Sequence, residues 1–163
     1  MIDDIDLQIL ELLQDNSRVQ NAEIARTVGL TPPAALERVR KLEKRGVIQG
    51  FHARLDPGHV GCSMLAFVFV KTTETVGEED ASRALAALPE VQEVHHVAGE
   101  DCYLAKVRVA GPKALGRLIR EKFGQIAEVV STRSTVVLET VKEDPRLSLE
   151  ALKAGGPDGG CDD

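Results

Sequence analysis

"LTPPAALERVRKLEKRGVIQG", Leu30 to Gly50, is the stretch on which the fold turns. Thr31 is a good helix N-cap, and Pro32 suits a first helical position, where its missing N–H costs nothing. Ala35, Val39 and Leu42 follow at 3- and 4-residue spacing and predict one buried stripe; Gly46 predicts the stop. Arg38, Lys41 and Arg45 share another face, flanked by Arg40 and Lys44. From Thr31 to Arg54 six bases stand against the two acids Glu37 and Glu43, a net of +4. The whole chain carries −6. A local basic ridge on an acidic chain asks for an anionic partner.

The residues before it supply the context. Ile5, Ile9 and Leu12 predict a first helix, roughly Asp4–Gln14, with Asp3, Asp4 and Asp6 at its N-terminal end, where carboxylates favour the helix dipole. "NAEIARTV", Asn21 to Val28, predicts a second helix stopped by Gly29, burying Ile24, Ala25 and Val28. Two short helices joined by a turn containing glycine make a helix-turn-helix, whose second helix enters the major groove of DNA. There Thr31 can hydrogen-bond a base or a phosphate, the prolines offer shape, and the basic side chains meet phosphates. "VIQGFHARL", Val47 to Leu55, then reads as a short hairpin or extended wing.

Beyond residue 60 the pattern changes to βαββαβ, the ferredoxin-like order. "MLAFVFVKT", "VQEVHHVA", "CYLAKVRVA" and "AEVVSTRSTVVLETVK" predict the strands. The segments Glu78–Leu88 and Pro112–Phe123 predict the helices, and Gly99-Glu100-Asp101 a tight turn. The fold class is α+β: a winged or plain helix-turn-helix over residues 1–54, a linker over 55–63, a ferredoxin-like domain over 64–143 and a partly disordered tail over 144–163. The first strand is apolar on both faces, with Leu65, Phe67 and Phe69 opposite Met64, Ala66, Val68 and Val70. Helices cover one face of such a sheet, so the other needs a cover. A second subunit is the simplest, and a C-terminal segment folding back is the alternative.

Several classes are excluded. No apolar run reaches the roughly 18 residues of a membrane span, and the acidic "MIDDIDLQIL" is no signal peptide, which predicts a cytoplasmic protein. Cys62, Cys102 and Cys161 form no metal spacing, and His95 and His96 alternate to opposite faces of one strand, so no metal site is expected. No nucleophile–base pair or phosphate loop is visible, so no enzyme is expected. At 3%, aromatics are too scarce for a single-strand stacking platform.

"IDDIDLQILELLQDNSR", "NAEIARTVGLTPPAALERVRKLEKRGVIQGFHARLDP" and "GEDCYLAKVRV" resemble the leucine-responsive regulatory protein/AsnC family of feast/famine transcription regulators, over about residues 2–143. The resemblance implies a sequence-specific regulator of double-stranded promoter DNA whose binding or assembly responds to an amino acid or related metabolite, with no other cofactor. It implies a homodimer through facing sheets that assembles further, often to an octamer. It implies DNA reading by Thr31, Pro33, Glu37, Arg38, Arg40 and Lys41, beside the flanking Lys44. It implies an effector loop at Gly99, Glu100, Asp101, Cys102 and Tyr103, completed by Thr132 and Ser134 of a neighbouring subunit. Many members carry Asp where Cys102 stands; here the acid is at Asp101, so Asp101 or Glu100 is expected to meet a ligand ammonium. Backbone N–H groups of the turn and the two hydroxyls suit its carboxylate. The alternative function is an architectural protein that wraps DNA with little effector response.

Overall fold

A computed structural model describes residues 2–74 and 78–153. The chain forms two compact units, Met1–Ala53 together with Glu143–Asp163, and Arg54–Lys142.

The helical unit contains α1 (Asp4–Asp15), α2 (Asn21–Val28) and α3 (Pro32–Lys44). Asp3 caps α1, its carboxylate accepting the Asp6 N–H at 2.8 Å. Gly29 ends α2 in the left-handed region at φ 72°, which a Cβ would disfavour. Ile9, Leu10, Ile24, Ala25, Ala35, Val39 and Leu42 form the core. Thr31 has the extended backbone of a cap but no side-chain cap bond. Pro33 at the second helical position removes one of the two N–H groups such a cap uses.

Of the winged and plain alternatives, the described residues fit the plain one: residues 45–63 carry no strand. The Val47 and Ile48 N–H groups both donate to the Leu42 carbonyl, at 3.0 and 3.2 Å, and their side chains pack on the helical core. The chain is thus folded back on the end of α3, with no second strand to pair. The first part of the tail is fixed to the helical unit. The Gln14 amide donates to the Leu147 carbonyl (3.1 Å) and accepts its N–H (2.7 Å), and Leu149 packs on the helical core. The short α6 (Glu150–Lys153) follows. The Gly- and Asp-rich end expected to be disordered, residues 154–163, lies outside the described residues.

The second unit holds β1 (Met64–Thr72), α4 (Asp80–Ala86), β2 (Val91–His96), β3 (Tyr103–Val109), α5 (Pro112–Arg117) and β4 (Val129–Val136). The helical path continues beyond α5 as a π turn, Leu118–Lys122, and a 3-10 turn, Phe123–Gln125. The sheet is antiparallel in the order β2-β3-β1-β4. Ala66, Val68 and Val70 of β1 join Tyr103, Ala105, Val107, Leu85 and Phe123 in the core. Leu65, Phe67 and Phe69 occupy the other face, as alternation requires.

Three boundaries differ from expectation. β4 stops at Val136, opposite Ala66, and one further bond, Val137 N–H to the Leu65 carbonyl (3.0 Å), ends the ladder. The turn between β2 and β3 is a six-residue loop, 97–102, closed by the Val97 N–H to the Cys102 carbonyl at 3.0 Å. α4 is shorter than Glu78–Leu88, and the Ala81 N–H in its first turn is satisfied by the Glu74 carboxylate at 2.7 Å.

Candidate functional site

Each of the two units carries one candidate site. On α3, Thr31, Pro33, Glu37, Arg40, Lys41, Lys44 and Arg45 are exposed, while Ala35, Val39 and Leu42 are buried beneath them. Lys41 pairs loosely with Glu37 at 3.6 Å and stays 67% exposed. Arg38 behaves differently. Its Nη1 donates to both Asp3 oxygens, at 2.9 and 2.7 Å, and to Asp6 Oδ1 at 2.7 Å. The expected ridge of Arg38, Lys41 and Arg45 therefore has its first member turned onto the start of α1. The Asp6 N–H and then the Arg38 guanidinium hold the Asp3 carboxyl below its usual range. Arg38 is raised by Asp3 and then Asp6.

In the second unit the register sets Tyr103, Val70 and Thr132 in one row across β3, β1 and β4. Tyr103 and Thr132 thus lie two strand spacings apart, about 10 Å, at the end of the sheet that carries the 97–102 loop. Ser134 is two residues further along β4 on the same face, paired with Val68, and is exposed. Gly99 and Glu100 are exposed. Asp101 is paired: the Arg133 guanidinium donates to it at 2.9 Å while lying 4.0 Å over the Phe69 ring. The Cys102 N–H donates to the Val70 carbonyl, and the thiol lies half-buried, 4.0 Å from the Thr72 carbonyl.

Tyr103 is buried, and its hydroxyl donates to Glu74 at 2.9 Å. Burial first, and then Glu74, push its ionisation up. The Tyr103 ring sits 5.2 Å from the His96 ring. Both line a cavity of about 440 Å³ whose other walls include Glu79, Ser82, Arg83 and Val94. Sequence reading missed this hollow. The Glu79–Arg83 pair at i,i+4 was visible, but Glu74 lies in a loop with no periodicity to mark it.

Two family models match these units: "Winged helix-turn-helix DNA-binding" over residues 2–49, and "Lrp/AsnC ligand binding domain" over residues 65–147. The chain belongs to the Lrp/AsnC family. It is a transcription regulator that joins a DNA-binding helix-turn-helix to a ligand-binding domain, and the family is not one of enzymes. The Lrp/AsnC chain described here is 39% identical over 151 residues to the leucine-responsive regulatory protein of Escherichia coli (strain K12), covering 91% of this chain and 92% of that one. A transcriptional regulator from Neisseria meningitidis, solved as an L-Met complex, superposes with a TM-score of 0.85 at 28% identity, covering 93% of this chain and 99% of that one. The feast or famine regulatory protein of M. tuberculosis, complexed with L-methionine, gives 0.83 at 37% identity, covering 90% and 99%. The first family model is termed winged; in this Lrp/AsnC chain the segment after α3 carries no strands.

Proposed function

We propose that α3 reads promoter DNA through Thr31, Pro33, Glu37, Arg40, Lys41 and Lys44, and that the sheet end binds a free amino acid that alters this binding. The exposed cationic face over a buried stripe of Ala35, Val39 and Leu42 supports the first half. The juxtaposition of the 97–102 loop with Thr132 across Val70 is the single observation that carries the second. Backbone N–H groups around Gly99 and the Thr132 and Ser134 hydroxyls suit the ligand carboxylate; Arg133 lies on the opposite face of the sheet, with Phe69. Glu100 and Asp101 suit its ammonium, Asp101 by exchanging its surface ion pair, and Cys102 and Tyr103 form the floor beneath the loop. L-methionine in two related structures makes an apolar amino acid the first ligand to try. The partner of the second sheet face is another copy of the chain, meeting Leu65, Phe67 and Phe69, and pairs assemble toward an octamer. A regulator of promoters works where the DNA is, which places it in the cytoplasm.

The test is a melting screen with the common amino acids, followed by titration of promoter DNA with and without each stabiliser. One amino acid is expected to raise the melting temperature by mass action and to shift operator affinity or particle size. If every amino acid leaves operator affinity and particle size unchanged, the architectural DNA-wrapping reading replaces this one. Phe67→Asp is expected to give monomers in sedimentation; intact dimers refute the sheet-to-sheet assembly.

A further inference from the structure

The buried stripe of Ala35, Val39 and Leu42 decides which face of α3 meets α1 and α2, and directional bonds fix its roll more finely. The contact that sets direction is the charged one. Arg38 leaves α3 beside the buried Val39 and meets two carboxylates from the first turn of α1. Both partners are themselves constrained. Asp3 holds the Asp6 N–H as the N-cap, and Asp6 returns a longer bond to the Asp3 N–H at 3.4 Å. Asp6 is 7% exposed, one of two buried polar residues among those described. The Arg38 side chain is 31% exposed where that of Lys41 is 67%. A side chain held by three contacts to two fixed acceptors is spent on the fold, and charge-assisted bonds are the directional kind.

We propose that Arg38 is a positioning residue: clamped by Asp3 and Asp6, it fixes the roll of α3 on α1, so that Arg40, Lys41 and Lys44 face DNA in one register, and it makes no phosphate contact itself. The proposal rests on α3 being the DNA-reading helix. It makes the acidic start of α1 part of the machinery of recognition, although its charge opposes DNA.

That opposition supplies a test with distinct signs. Binding to an operator duplex and to a random duplex is measured across a salt series for wild type, R38Q, D3N/D6N and K41Q, together with melting temperatures. K41Q is expected to lower the salt slope by about 0.9, the value for one phosphate. R38Q leaves the slope unchanged and lowers the operator-to-random ratio by about tenfold, the scale of one mismatched base pair. D3N/D6N lowers the ratio in the same way, yet tightens binding to random DNA and steepens the slope by about 0.9, because Arg38 is released toward phosphate. Asn still caps a helix, so this variant keeps its N-cap. Where R38Q fails to fold, D3N, which leaves the Asp6 contact, carries the same signs at smaller size.

A slope that falls by about 0.9 in R38Q makes Arg38 a phosphate contact and overturns the proposal. Lost discrimination confined to one base pair makes it a base reader and overturns it equally. A lowered melting temperature with ratio and slope intact leaves only a stabilising role and also overturns it. A wild-type ratio near one refutes the DNA reading of α3 and the clamp's role with it; a wild-type ratio that survives both R38Q and D3N/D6N refutes the clamp alone.

Discussion

Arg38 and Arg133 make the same kind of bond with different consequences. Arg38, in the helical unit, is 31% exposed and contacts two carboxylates, one of them on an Asp6 side chain that is 10% exposed. Arg133, in the sheet unit, is 63% exposed, with one contact to Asp101 and a ring beneath it. Such a partly exposed pair is worth about 0–1 kcal/mol, so a ligand that offers Asp101 an ammonium displaces it at little cost. A shielded, multiply bonded pair resists exchange, and losing one partner leaves the other poorly solvated. Asp3 is 53% exposed and Asp101 23%, so the second carboxylate, the buried Asp6, and the number of bonds separate the framework contact from the exchangeable one.

Apolar burial is expected to outweigh both pairs. Phe123→Ala, at a fully buried site, should cost about 3–5 kcal/mol in chemical denaturation followed by emission of the single tyrosine, Tyr103. A loss under about 1 kcal/mol breaks the ranking on which the comparison stands. Asp101→Asn comes next. It should remove most of a coupling that is typically about 1–3 kcal/mol between amino acid and operator, and leave the melting temperature nearly unchanged. A wild-type response excludes the Asp101–Arg133 pair from the effector site.

The buried polar contact of the sheet unit sharpens the comparison. Tyr103→Phe keeps the packing, loses the bond to Glu74 and should cost about 1 kcal/mol. Because the folded Tyr103 pKa is raised, the unfolded chain loses its proton first. Stability from this group is complete below about pH 10 and falls as pH rises toward the raised value. Denaturation of Tyr103→Phe should lack that alkaline limb; an identical limb assigns it to another group. The smallest effect is at acid pH. The folded Asp3 pKa lies below 3.8, so its contribution is present above that value and is lost as pH falls through the lower one. Helical melting of D3N/D6N should be flatter than wild type between about pH 5 and pH 3, read by circular dichroism.

Much of the fold was legible from short-range pattern. The stripe of Ala35, Val39 and Leu42, the Gly29 turn and the double-sided β1 each follow from periodicities of 3.6 and 2, which residues within one element suffice to show. The basic face of α3 was legible for the same reason. Arg38 was not, because its partners lie 35 and 32 residues away, and a periodicity argument sees only that its face is polar. The Asp101–Arg133 pair, 32 residues apart, escaped likewise. Whether the helix-turn-helix is winged or plain stayed open in the sequence because Val47 and Ile48 are apolar enough for a strand; in the fold they pack on the helical core.

By itself the sequence determined which residues form helices and strands, which faces are apolar, and that one helix concentrates positive charge on an acidic chain. These are properties of neighbours along the chain. Tertiary structure decided which of those charges remain exposed on α3 and which is used to hold it, where the 97–102 loop closes, and that the segment around Leu147 seats on α1. Those outcomes depend on acceptors brought together by folding, and the directionality of hydrogen bonds makes them specific to one arrangement of the elements.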